Sequence, residues 1–141
     1  MARPSGPKIR CSGLWTEAEF KSFIQRNLRS ATRKWKPISD CLKRARIARG
    51  LYRCEGCNSE VTATVVNDNG KRVKGIVVDH IKPIVDPDLG FTNWDDYING
   101  MFCEADNLQA LCHKCHDSKT QQEREQHAIR RKKEKDDVSY I

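Results

Sequence analysis

Two Cys-x2-Cys pairs, Cys54-Glu-Gly-Cys57 and Cys112-His-Lys-Cys115, are separated by 54 residues. Together they supply four thiolates, the full tetrahedral shell of a structural zinc. A plain zinc ribbon sets its pairs roughly 15–20 residues apart. Here the metal would instead tie together the two ends of a long excursion. Asp79-His80 and Asn107 lie inside that excursion, and His116 directly follows the last thiol. A carboxylate, two imidazoles and an amide gathered by one clasp point to a second metal site, this one catalytic.

Such residue types suit phosphodiester hydrolysis. A neutral histidine, with an unperturbed pKa of about 6.5, can take a proton from water at physiological pH. A divalent ion on carboxylate and imidazole ligands can neutralise the phosphoryl group and the leaving 3′ oxygen. Asp79 and His80 are neighbours at the end of an expected strand, so their side chains diverge. One can bind metal while the other addresses the water. His116 can meet Asp79 if its helix packs on that strand, and Asn107 can orient His80 or a loop by hydrogen bonding. Lys119 lies one helical turn past His116 and is a candidate phosphate contact. Asp117 adds a negative charge beside the site. His113, inside a knuckle, is expected to be exposed, and His127 is expected on the surface.

The elements that must position these groups follow from pattern. Residues 1–13, rich in Pro, Gly and basic residues, read as a flexible lead-in. Thr16-Glu-Ala-Glu19 is a capping box opening a helix over 17–30, with Phe20, Phe23, Ile24 and Leu28 on one face. Pro37 is expected to break the chain. A second helix capped by Ser39 or Asp40 then runs to Arg49, with Gly50 just past its end and Leu42, Ala45 and Ala48 inward. Val61–Val66 and Lys71–Val78 read as strands around an Asn67–Gly70 turn, and Asp79-His80 ends the second. Pro83, Pro87 and Gly90 mark a loop. Thr92 caps a helix to about Asn99, its Trp94, Tyr97, Ile98 and Met101 packing as core and Gly100 ending it. Asn107–Leu111 leads into the second knuckle, and a helix runs from His113 to Lys135.

The chain has 141 residues, 38% hydrophobic and 32% charged, with net charge +7. That is one core-poor domain of the kind a zinc can staple. No stretch is apolar enough to span a membrane, and Met1–Arg10 lack the apolar segment of a signal peptide, so a cytoplasmic protein is expected. Seven cysteines argue for metal over a disulfide framework. Cys11, Cys41 and Cys103, outside the knuckles, read as small, partly buried apolar residues. Charge is uneven. Residues 1–53 carry 14 Lys/Arg against 3 Asp/Glu, residues 54–111 carry 4 against 10, and residues 112–141 carry 8 against 6. The basic segment points to a polyanion, most simply DNA, with Arg33, Lys34, Lys43, Arg44, Arg46 and Arg49 as candidate backbone contacts. The basic turns at Arg130–Lys133 could also meet phosphate.

At Cys54-x2-Cys57, Val78-Asp-His-Ile-x-Pro83 and Asn107-Leu-Gln-Ala-Leu-Cys-His-Lys-Cys-His116-x2-Lys119-Thr120 the sequence resembles the HNH endonuclease family. The resemblance covers residues 54–120, about half the chain. It implies an α+β fold, a ββα-metal core with a four-cysteine structural zinc, preceded by a basic helical arm. The expected organisation is an arm over 1–50, a nuclease domain over 51–135 and a tail over 136–141. It also implies His80 as general base and the first H, Asn107 as the N, His116 as the second H, and a single Mg2+ or Mn2+ on Asp79 and His116. The layout is similar to small phage-encoded HNH endonucleases. The chain itself is expected to be a monomer or weak dimer, with a phage or host protein as a further candidate partner. Two other classes stay open: a zinc-stabilised DNA-binding module without catalysis, and a nuclease directed at RNA.

Overall fold

The computed structural model describes residues 6–139, and divides between Trp35 and Lys36 into two compact units. The fold is α+β, with small antiparallel sheets and, among the described residues, four α-helices. No helix among them is long and apolar enough to cross a membrane.

In the first unit β1 (Lys8–Arg10) pairs with β2 (Trp15–Thr16), so residues 8–10 are ordered strand rather than lead-in. Residues 1–5 of that expected lead-in lie outside the described residues. Cys11, Ser12 and Gly13 make the turn with positive φ, and Cys11 is exposed, not partly buried as expected. α1 (Glu17–Ala31) starts where the capping box requires: Thr16 Oγ1 accepts from the Glu19 amide at 3.2 Å. Its apolar face includes no fully buried residue. Phe23 meets Trp15 at 5.0 Å between ring centroids, and the Arg10 guanidinium lies 4.3 Å over Phe20 while pairing with Glu17 at 2.8 Å. A short 3-10 turn, Thr32–Lys34, closes the unit.

The second unit opens with α2 (Lys36–Ala45). Pro37 sits in its first turn, where a missing N–H costs nothing and the fixed φ suits a helix, so it starts the element instead of breaking the chain. The helix also stops early. Arg46–Ala48 is β3, hydrogen-bonded to β4 (Leu51–Arg53), and Gly50 at φ +72° makes their turn instead of a helix cap. Hence Ala48 is exposed, while Cys41 and Ala45 are buried.

β5 (Glu60–Thr62) pairs with β4, and β6 (Thr64–Val66) forms a hairpin with β7 (Arg72–Lys74) around the expected Asn67–Gly70 turn. Each of the two long strands expected here is therefore two short ones, folded at Ala63 and Gly75. The Gly75 amide bonds to the Ala63 carbonyl, and a Cβ on Gly75 would fall 1.9 Å from the Thr62 carbonyl oxygen, so only glycine allows the corner. Beyond it β8 (Ile76–His80) leaves the hairpin and pairs antiparallel with β9 (Leu108–Cys112), with Asp79 opposite Gln109 and His80 opposite Leu108.

α3 (Trp94–Met101) is capped by Asn93, whose side chain accepts from the Asp96 amide at 2.8 Å, one residue later than expected. Thr92 instead donates to the Asp96 carboxylate. The helix continues through Gly100 and buries Tyr97 and Met101, while Ile98 stays exposed. Phe91, Trp94 and Tyr97 pack edge to face or tilted at 5.0–5.9 Å, which is a core role.

α4 (His113–Ser139) grows out of β9 and packs its first turns on β8 and β9. It absorbs residues 136–139 of the expected tail; residues 140 and 141 lie outside the described residues. Arg130 reaches the 83–91 loop, donating to the Pro87 carbonyl, and Gly90 leaves room for its guanidinium. His127, expected on the surface, is half-buried, its Nδ1 accepting from Arg130 at 3.0 Å.

The core is small. Cys41 and Ala45 of α2 pack on Ile76, Leu108 and Ala110, with Cys103 partly buried against them. A second cluster is built on Cys54, Leu111 and Cys112. So few buried side chains leave the fold in need of another tie.

Candidate functional site

The first knuckle is a tight loop between β4 and β5. The Cys54 amide donates to the Ser59 carbonyl, the Asn58 amide to the Cys54 carbonyl, and Asn58 takes φ +61°. The second knuckle spans the junction of β9 and α4. All four Sγ atoms lie within 4.8 Å of one another, and Cys57 Sγ is 3.8 Å from Cys112 Sγ. With Zn–S bonds of about 2.3 Å, a tetrahedron has sulfur–sulfur edges of about 3.8 Å. The group therefore suits a structural zinc.

Its electrostatics ask for a cation. Ser59, 3.3 Å away, and its amide push the Cys57 thiol down to about 6. Cys54 is also lowered: burial opposes its ionisation, but the amides of Cys112, Cys57 and Gly56 outweigh it. Burial raises Cys112, and hydrogen bonding to the Cys112 thiol, then burial, pushes Cys115 up to about 12. Hydrogen bonds from Ser59 and the backbone amides thus lower two of the thiols, while burial and neighbouring thiols raise the other two; a divalent ion on the four sulfurs would favour the thiolate form of all of them. His113 is not a fifth candidate. It is half-buried with Nε2 3.1 Å from Asp117, which accounts for both residues.

Away from the cysteine cluster, β8 ends at Asp79 and His80, both half-buried. His80 Nε2 lies 3.0 Å from the Met101 carbonyl at the end of α3. A carbonyl only accepts, so in the neutral ring Nε2 carries the proton and Nδ1 keeps the lone pair. Asn107 holds the segment after His80. Its Oδ1 accepts from the Lys82 amide at 2.9 Å, its Nδ2 donates to the Lys82 carbonyl at 3.4 Å, and its own carbonyl accepts from the Ile81 amide at 2.8 Å. An open cleft of about 440 Å³ borders this pinned loop, with Lys82, Asp86, Phe91, Asp96 and Asn107 in its wall.

Lys119 joins α4 to the strand end. Its ammonium sits 2.9 Å from Asp79 Oδ2, 2.8 Å from the His80 carbonyl and 2.6 Å from Glu123 Oε1. Burial lowers its pKa, but Glu123 and Asp79 more than offset this and the net shift is upward. His116 is one turn earlier on α4, half-buried, and its ring makes no hydrogen bond among the described residues. The partner that reaches Asp79 from α4 is thus Lys119.

The basic candidates divide. Arg33, Lys34, Lys43, Arg46 and Arg49 are exposed, with Arg46 on β3 and Arg49 in the turn after it rather than on a helix. The Arg44 guanidinium is committed to the fold: it pairs with Glu55 at 2.9 Å and donates to the Leu108 carbonyl at 2.9 Å. Glu55, inside the first knuckle, also accepts from the Ala110 amide at 2.9 Å. Burial raises the Glu55 carboxyl, but Arg44 and the Ala110 amide bring it below its ordinary value.

Glu55, Gln109 and Glu123 are site-supporting residues that the sequence pattern left unmarked. Gln109 Nε2 donates to Asp79 Oδ2 at 3.1 Å. Glu123 was detectable as the i+4 partner of Lys119, whereas Gln109 needed the strand register. A scan against protein-family models, a search of curated proteins and a search of solved structures each returned no match.

Proposed function

We propose that this chain is a metal-dependent HNH endonuclease that hydrolyses phosphodiester bonds in DNA. β8, β9 and α4 form its ββα-metal core, and Cys54, Cys57, Cys112 and Cys115 hold a structural zinc. The observation that carries the reading is the tie between His80 Nε2 and the Met101 carbonyl. It commits Nδ1 to accepting a proton, on a strand end whose next residue back is a carboxylate.

In the reaction water oxygen bonds to phosphorus while the bond from phosphorus to the 3′ oxygen breaks. His80 Nδ1 takes the water proton. Asn107 keeps the imidazole aimed by fixing the Ile81–Lys82 backbone behind it. Asp79 and His116 are the proposed ligands of Mg2+ or Mn2+, which when bound supplies positive charge to the phosphoryl and leaving oxygens. A carboxylate and an imidazole suit a hard or intermediate cation, and the Asp79 carboxylate already holds a positive charge, the Lys119 ammonium, at 2.9 Å. Arg33, Lys34, Lys43, Arg46 and Arg49 are the proposed phosphate contacts.

Supercoiled plasmid incubated with and without Mg2+ or Mn2+ tests the reading. Wild type is expected to nick or linearise it only with the ion, and zinc-loaded, folded His80→Ala to leave it intact. Cleavage retained in His80→Ala overturns the mechanism, and matched RNA and DNA substrates identify the polymer. The ion pair of Asp79 with Lys119 favours one other reading, a zinc-stabilised DNA-binding module whose carboxylate is structural. That module binds DNA with strong salt dependence and is indifferent to His80 and to Mg2+.

A further inference from the structure

The Lys119 ammonium is ringed by oxygens: Asp79 Oδ2 at 2.9 Å, the His80 carbonyl at 2.8 Å and Glu123 Oε1 at 2.6 Å. An ammonium has three N–H donors, and each has an acceptor here. The group is well shielded, with side-chain exposure of 23% for Lys119, 16% for Asp79 and 28% for Glu123. Gln109 adds a further donor to the same Asp79 oxygen. The carboxylate proposed for the divalent ion is therefore already neutralised from within the chain, by a cation that also grips the backbone of the proposed base.

We propose that Lys119 is an internal counter-cation that competes with the divalent ion for Asp79, and that Glu123 is the seat to which its ammonium withdraws when the ion binds. This rests on the reading of Asp79 as a metal ligand. A divalent ion on Asp79 would stand within a few ångströms of the ammonium, where like charges repel strongly at the effective dielectric of a protein. Lys119 must then leave. Glu123, one helical turn further along α4, already holds it at 2.6 Å, so rotation about the terminal side-chain bonds suffices and no backbone has to move. Withdrawal also releases the His80 carbonyl, so arrival of the ion and freedom of the strand end are linked. A neighbouring opposite charge lowers the affinity of a carboxylate for a proton by roughly one to three decades. The same field acts on a metal ion, and Lys119 thereby sets the ion concentration at which the site fills.

Mn2+ binding to the zinc-loaded full chain, followed by electron paramagnetic resonance or calorimetry, tests this directly. Lys119→Met is expected to bind Mn2+ at least about tenfold more tightly than wild type. Glu123→Gln removes the alternative seat and is expected to bind it more weakly, the opposite direction. Lys119→Met should also have a lower Tm without Mn2+ and a larger gain on adding it. Zinc content and circular dichroism confirm that each variant is folded. Should Lys119→Met lose its fold, Lys119→Gln and the Glu123→Gln arm carry the test. Unchanged or weaker Mn2+ binding in Lys119→Met, with wild type binding normally, overturns the competition and leaves the metal reading standing. Lost DNA affinity at constant Mn2+ affinity also overturns it and makes Lys119 a phosphate contact. If wild type takes no Mn2+, or Asp79→Asn and His116→Ala do not change its uptake, the metal reading itself falls and the proposal with it.

Discussion

At the cysteine cluster every sulfur lies within 4.8 Å of the others, and the amides of Cys57 and Cys112 point at Cys54 Sγ from 3.4 and 3.2 Å. At the strand end the groups are hard oxygen and nitrogen donors, the carboxylate is held by a lysine, and the His116 ring has no partner among the described residues. Four soft ligands in a closed shell suit an ion that stays and holds structure, whereas a site for reaction has to keep positions open. The two regions are nonetheless connected. β9 ends in Cys112, α4 begins with the second knuckle, and together they carry Gln109 and Lys119 to the end of β8, with His116 one turn before Lys119 on α4. The difference separates the groups that hold the fold from those that would act, and each can be removed alone.

The largest effect is expected at the clasp. A structural zinc site contributes an apparent ~10–16 kcal/mol at neutral pH, comparable to or above the whole stability of a typical domain, about 5–15 kcal/mol. With so small a core, Cys54→Ser, or removal of the ion by a strong chelator, should unfold the second unit. Loss of its cooperative melt by circular dichroism, alongside loss of bound zinc, checks this. A stable, zinc-free second unit would mean the cluster is merely four packed thiols.

Next comes His80→Ala. If His80 is the general base proposed, its removal should lower the rate by roughly 10²–10⁴-fold, while the clasp lies elsewhere and should be untouched. Plasmid cleavage should fall by that factor at wild-type zinc content and nearly wild-type Tm. If zinc content falls together with activity, the two regions are one structural unit and neither can be removed alone.

Asn107→Ala is expected to have a smaller effect on cleavage. It deletes both side-chain bonds to Lys82 and leaves that amide without its acceptor, at a cost of about 1–2 kcal/mol in urea unfolding of the zinc-loaded protein. Looser aim of His80 should reduce cleavage by about 10–100-fold. Asn107→Asp keeps the acceptor for the Lys82 amide, and should recover part of both losses.

What could be read in advance follows the range of each interaction. The knuckles, the Thr16–Glu19 cap and the placement of Asp79-His80 at a strand end are local patterns, visible in spacing and residue type. The end of α2 at Ala45 is not local: Arg46–Ala48 prefer a strand because β4 folds back beside them. Similarly, β8 leaves its hairpin because Gly75 must pass the Thr62 carbonyl. At the site, residue types named His80 and Asn107, but a backbone carbonyl such as that of Met101 has no sequence signature. The Lys119–Asp79 pair required knowing how α4 packs on β8.

Arg44 is the smallest case and the one in which charge pattern and geometry disagree most. Its place in a basic segment marked it as a phosphate contact, yet its guanidinium spans Glu55 and the Leu108 carbonyl. It thereby ties α2 to the first knuckle and to β9. The pair is well exposed, 45% and 32%, so screening holds the cost of Arg44→Ala to about 1 kcal/mol. Arg44→Lys should recover little of it, because an ammonium cannot reproduce the two-armed contact. Urea unfolding of the zinc-loaded protein measures this. The salt dependence of DNA affinity supplies the opposing outcome. A phosphate contact would flatten the slope of log affinity against log salt by about one when removed, whereas a structural tie leaves the slope alone. A flatter slope at unchanged stability would move Arg44 from the holding region to the acting one.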